Sequence, residues 1–289
     1  MSHFTVLVVG ENWEQQLEPF WELDLPHEEI QNDSRAEFNL KISEEDLEKE
    51  FENFKIEYPK DKDKYQFAKE WGKNYHGYVY NKEEKGYGYY RNPNSKWDWY
   101  LMGGRWSGFF KLKDNTKSEI KLGEPGAFNN QPREGYVDQA LKGDIDFEGM
   151  TNDVVEKSEE EYNKFHNILN GRTVPIWKEI LEKYGTEKID DARKEYNENQ
   201  VIKDLMQAGY HFNIEKFLID KETFLKISAD SAFVTYALVK DGEWHQRGEM
   251  GWFGMSSNEK ENDVWNSEFH KIIDSLPDDT ILTLVDCHI

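Results

Sequence analysis

One cysteine, Cys287, occurs among 289 residues. That excludes an internal disulfide framework and a multi-cysteine zinc site, and it points to a reducing compartment, the cytoplasm. No stretch approaches the roughly 18 consecutive apolar residues that a membrane span needs. The apolar run after Met1 carries no basic leader and is too short for a secretory core. Neither a G-x-G-x-x-G nor a Walker pattern follows Gly10-Glu11-Asn12, so a phosphate loop is excluded there. The eight histidines show neither H-x-x-x-H nor H-E-x-x-H spacing. Basic residues are also scarce, with 36 Lys and Arg against 58 Asp and Glu, a formal net charge of −22. Such a surface repels nucleic acid and anionic lipid. It suits a basic protein partner, or competition with nucleic acid for a basic groove, and it also serves plain solubility.

Large rings are plentiful instead. Aromatic residues make up 15% of the chain against 37% for all hydrophobic types, so the core is expected to rest on a few large side chains. The length allows one large domain or two smaller ones. His3-Phe-Thr-Val-Leu-Val-Val9 reads as a buried strand. Residues 14–38, with Pro19, Trp21 and Pro26, read as an irregular excursion. Ser43 followed by Asp46 marks a helix start with Leu47, Phe51 and Phe54 on its apolar stripe. Gly86-Tyr-Gly-Tyr-Tyr90 reads as an edge strand of a tyrosine-rich hairpin set, residues 121–132 as a loop and residues 134–142 as a short helix. Asp144, Asp146 and Glu148 alternate, so in an extended chain they share one face, either solvated or able to hold a divalent cation.

Residues 150–210 read as a helical arm inserted into an α+β sheet domain made of residues 1–149 and 211–289. A short helix is expected near residues 214–227 and a strand over residues 232–239. Asp241-Gly242 is a strong hairpin turn. A helix over residues 259–276 should bury Val264, Trp265, Phe269, Ile272 and Ile273. The chain ends on an apolar strand, residues 280–289. Both terminal strands are apolar enough to be central, so the expected fold is α+β, with a mixed sheet that includes both chain termini.

The stretch Trp97-Asp98-Trp99-Tyr100-Leu-Met-Gly103-Gly104-Arg105-Trp106 poses the sharpest functional question. Adjacent glycines flanked by indoles mean a tight bend or the close approach of something else. Residues 1–57 hold 16 acids and 4 bases, whereas residues 60–121 hold 14 bases and 8 acids. The basic section therefore coincides with the aromatic one, the combination that stacks bases and pairs phosphates. Arg105 beside Trp106 is suited to a carboxylate or phosphate, and an ion pair with Asp98 is the structural alternative. Trp252 and Phe253 form a second glycine-flanked aromatic pair, either a core corner or an anchor. Asp286-Cys287-His288 looks like a nucleophile with its base, but strand alternation puts Cys287 on the face opposite Asp286 and His288. Cys287 therefore reads as buried, while His3, Asp286 and His288 form a metal candidate if the terminal strands are neighbours.

Three stretches carry a resemblance: the opening Met1-Ser-His-Phe-Thr-Val-Leu-Val8, the Lys96-Trp-Asp-Trp-Tyr…Gly-Gly-Arg-Trp106 block, and Leu276-Pro-Asp-Asp-Thr280…Val-Asp-Cys-His-Ile289. Together they resemble a family of bacteriophage-encoded proteins usually left uncharacterised, over most of the chain except residues 150–210. In size and acidity the chain is also similar to the Gabija anti-defence inhibitors of phages. That resemblance implies a non-enzymatic homo-oligomer, without cofactor, that binds a nuclease-containing host defence complex in the host cytoplasm and blocks access to DNA. No site residue carries over from it. The competing expectation is a nucleotide- or nucleic-acid-binding protein or enzyme, such as a signalling-nucleotide sponge, built on Arg105 and its tryptophans.

Overall fold

The computed structural model describes residues 2–23, 27–46, 49, 78–113, 121–126, 133–211 and 213–289. The helix expected after Ser43 lies mostly outside them, Leu47, Phe51 and Phe54 included. Its start is visible, with the Ser43 hydroxyl accepting from the Asp46 amide at 3.1 Å.

The chain is α+β. Its elements are β1 (His3–Val9), α1 (Trp13–Leu17), α2 (His27–Ile30), β2 (Glu37–Ser43), β3 (Val79–Asn81), β4 (Gly86–Arg91), β5 (Trp99–Gly104), β6 (Phe110–Lys111), β7 (Glu124–Pro125), β8 (Tyr136–Val137) and β9 (Gln139–Leu141). After these come α3 (Phe147–Leu169), α4 (Trp177–Tyr184), α5 (Ile189–Glu198), α6 (Gln200–Gln207), α7 (Lys221–Asp230), β10 (Ala237–Lys240), β11 (Glu243–Gln246), β12 (Glu249–Met250), β13 (Ser256–Ser257), α8 (Asn262–Ser275) and β14 (Ile281–His288).

A seven-stranded mixed sheet runs β11-β10-β1-β14-β5-β7, with β9 also paired to β14. The two terminal strands lie side by side and antiparallel, from His3 opposite His288 to Val9 opposite Leu282. They are central because both of their faces are apolar along most of their length, and a strand apolar on both sides needs cover on both. On one face Leu7, Val9, Leu238, Leu282 and Leu284 meet Trp265, Phe269 and Ile273 of α8 and Met150 of α3. On the other, Phe4, Val6, Val8, Val285 and Cys287 meet Leu17, Phe20 and Trp97, with Trp13, Trp21, Tyr100 and Trp244 around them. The second core is dominated by rings, as the composition leads one to expect.

A third core holds the helical region together. Phe165, Leu169, Val174, Val201, Ile202 and Leu205 pack with Ile214, Phe217 and Phe224, so it draws on the segment after the arm as well. The long helix α3 opens on the Asp146 carboxylate, which accepts from the Gly149 amide at 2.9 Å. It closes on Asn170 in the left-handed conformation, where Arg172 donates to the carbonyls of Ile168 and Leu169.

Several local expectations fail for tertiary reasons. Residues 134–142 form β8, β9 and the start of a 3-10 turn rather than a helix. Pairing with β6 and β14 overrides the local preference. Asp144, Asp146 and Glu148 share no strand face, because Asp146 caps α3 and Glu148 lies within it. Gly86–Arg91 is the middle strand of the β2-β4-β3 sheet, not an edge. The strand expected from residue 232 begins at Ala237, and Val264 is 46% exposed rather than inward. Residues 14–38 contain two short helices and a 3-10 turn. The Asp241-Gly242 hairpin forms as expected, with both residues at positive φ and Lys240 opposite Glu243.

Candidate functional site

The Gly-Gly-Arg-Trp stretch ends β5 in a tight turn, and two buried carboxylates explain its glycines. Gly103 and Gly104 have φ of +76° and +54°. A Cβ on Gly103 would lie 2.3 Å from Asp138 Oδ2, and one on Gly104 would lie 2.4 Å from Asp286 Cβ. Either contact is far inside van der Waals distance, so the turn tolerates no side chain at these positions.

Asp138 is fully buried and its carboxylate organises the turn. Oδ1 accepts from the amides of Gly108 (2.7 Å) and Phe109 (3.1 Å). Oδ2 accepts from the Ser107 hydroxyl (2.8 Å) and the Gly123 amide (2.9 Å). Four donors stand in for a counter-cation, which lets a buried carboxylate be held without one. Nothing singled out Asp138 in the sequence, since one acid between Val137 and Gln139 carries no periodic signal.

Asp286 links this turn to the chain termini. Its Oδ2 accepts from the Arg105 amide at 2.9 Å, and its Oδ1 lies 2.8 Å from His3 Nδ1. Across β14, His288 Nδ1 lies 2.5 Å from Asp98 Oδ1. Asp98 therefore pairs with His288 rather than with Arg105. The two imidazoles sit edge to face with ring centres 4.8 Å apart, and Trp99 borders His3 at 6.1 Å. Strand alternation separates Cys287 from this face as expected. The thiol is fully buried in the aromatic core, and that burial raises its pKa well above the ordinary thiol value, the opposite of an activated nucleophile. Among the described residues no group of three or more His, Cys, Asp and Glu side chains is arranged to hold a metal ion. Asp286 serves as the hydrogen-bond partner of His3.

Beyond the turn lies a cleft of about 600 Å³ whose lining includes Arg105, Trp106, Phe109, Arg133, Tyr136 and Asp153. The Arg133 guanidinium sits 3.8 Å from the centre of the Tyr136 ring and donates to the Gly108 carbonyl at 3.0 Å. Lys111 reaches Asp153 at 2.7 Å and holds that carboxyl below the usual range.

The other singled-out residues divide between core and surface. Trp97 is buried, its indole N–H donating to the Leu17 carbonyl at 3.1 Å, and it stacks on Trp21. Tyr100 packs edge-on against Trp97 and Trp13, and burial raises its pKa. Trp99 is 46% exposed and Phe253 is 76% exposed. Phe253 lies at φ +61° in the short 3-10 turn that also contains Trp252. The structure thus brings Arg105 and Trp106 to one cleft, and His3, Asp98, Trp99, Asp286 and His288 to the adjoining sheet end. It leaves Trp97 and Tyr100 in the core.

Fold and site together define an α+β protein with a basic, aromatic cleft beside paired histidines. Comparison of the chain with protein-family models, curated proteins and solved structures returned no match.

Proposed function

We propose that the chain is a phage-encoded inhibitor, of the Gabija anti-defence kind, that binds a nuclease-containing host defence complex stoichiometrically and keeps DNA from it. In this reading it works in the host cytoplasm as a homo-oligomer and catalyses nothing. The observation that carries the reading is charge. A net −22 opposes contact with nucleic acid and favours the basic groove where a nuclease would hold DNA. The helical region supports it further, since it has a core of its own and exposes Leu218, Ile219 and Ile227. No described helix is long and apolar enough to cross a membrane, which suits such a role.

The test mixes the purified chain with the defence complex and DNA. Expected are co-elution on a sizing column and cleavage that falls linearly to zero at a fixed molar ratio. Raising salt should weaken the complex, because the attraction is between exposed charges. Pull-down from a defended host that recovers nucleotides and no nuclease subunits would sink the reading.

The cleft favours a second reading, a nucleotide-binding protein, because two guanidiniums and three aromatic rings line one space. Arg105→Ala leaves the bond to Asp286 in place, since that bond uses the backbone amide. The variant should fold and lose nucleotide binding. Unchanged binding in Arg105→Ala and Arg133→Ala would exclude the cleft.

A further inference from the structure

We infer that His3 and His288 form a binding site for a single transition-metal ion of the Zn2+ class, bound through their two Nε2 atoms. The inference is independent of the inhibitor reading. It begins with strand register. His3 and His288 face each other across antiparallel β1 and β14. The neighbouring pair, Ser2 and Ile289, exchanges both backbone hydrogen bonds. His3 and His288 are therefore a pair without backbone hydrogen bonds, the kind whose side chains stand closest.

Each ring is held at Nδ1 by its own carboxylate, Asp286 for His3 and Asp98 for His288. A neutral imidazole that donates its Nδ1–H to a carboxylate keeps the Nε2 lone pair for another partner. Among the described residues no hydrogen bond engages either Nε2. A carboxylate behind the histidine is the arrangement that fixes tautomer and orientation in metal sites and raises the basicity of the ligand. Here it occurs twice, on adjacent rings, and the two carboxylates offset the charge of a divalent ion.

Spacing agrees. With a metal–nitrogen bond of ~2.0–2.1 Å an ion lies roughly 3.2 Å from each ring centre. Two centres 4.8 Å apart are close enough for a single ion to lie at that distance from both rings. Side chains that are 14% exposed on both histidines leave a path for the ion and for water in its remaining positions. Two imidazoles select nitrogen-preferring ions, Cu2+ above Zn2+ in affinity, over Mg2+ or Ca2+.

The experiment titrates the full-length, tag-free chain with Zn2+ alone by calorimetry and loads a second sample with Cu2+ for electron paramagnetic resonance. Expected are one equivalent of Zn2+ per chain, no response to Mg2+, and a Cu2+ spectrum with hyperfine coupling to two imidazole nitrogens. His3→Ala and His288→Ala should each abolish the saturable binding, and Asp98→Asn should weaken it about 10- to 100-fold. Circular dichroism checks that each variant is folded. If a variant does not fold, the Cu2+ spectrum of the unaltered chain decides alone. No saturable Zn2+ binding, binding that survives both histidine substitutions, or a Cu2+ spectrum without two imidazole nitrogens would each overturn the inference.

Discussion

At the scale of single residues, three groups make sharp predictions. Gly104 sits at φ +54° against Asp286. Gly104→Ala adds the cost of a left-handed non-glycine residue, about 1–2 kcal/mol, to a displacement of Asp286, so urea unfolding should show a loss of at least about 2 kcal/mol. Asp33 is gripped by Arg35 through three contacts of 2.7–2.9 Å. Those hydrogen bonds depress its pKa to about 2. A depressed carboxylate stabilises the fold above its unfolded pKa of ~3.9, and that contribution is lost as pH falls toward the folded value. Chemical denaturation between pH 5 and 2 should therefore show an acid-dependent loss that Arg35→Ala reduces, the bond from the Arg35 backbone amide staying in place. Cys287, fully buried with a raised pKa, should resist a thiol reagent in native buffer and react at once in denaturant. Rapid native labelling would place the thiol outside the core described above.

At the scale of elements, α8 closes the leucine-rich face of the sheet. Trp265 is 1% exposed, and its indole N–H donates to the buried Thr235 carbonyl at 2.8 Å. Trp265→Ala removes both the packing and the partner of that carbonyl, and it should cost about 3–5 kcal/mol in thermal or urea unfolding. Elements whose apolar pattern had a clear period were readable from sequence: β1, α8, the hairpin at Asp241-Gly242 and the helices after residue 150. Those governed by a distant partner were not. Residues 134–142 take the extended form because Asp138 must point back into the Ser107–Phe109 turn, a constraint supplied some thirty residues away. Asp146 similarly looked like one of an alternating set, whereas its role is to cap α3.

At the scale of the molecule, the two ends of the chain complete one sheet. β14 pairs with β1 along its length and also with β5 and β9, so it carries hydrogen bonds to three strands. Removing residues 281–289 should abolish cooperative folding, read as loss of the thermal unfolding transition, whereas an ordinary surface tail would leave it intact. The charge of the whole molecule also follows from composition alone, and the inhibitor reading draws on it most.

Local pattern determined the α+β class, the apolar terminal strands, the separation of Cys287 from Asp286 and His288, and the prominence of the Gly103-Gly104-Arg105-Trp106 turn. These depend on alternation and composition, which act between residues near in sequence. Tertiary structure decided the rest: Asp138 and Asp286 are what the glycines make room for, Asp98 goes to His288, and His3 meets His288 across the strand pair. The physical reason is that a buried carboxylate needs donors wherever the fold can bring them, and those donors lie up to 283 positions apart in the chain.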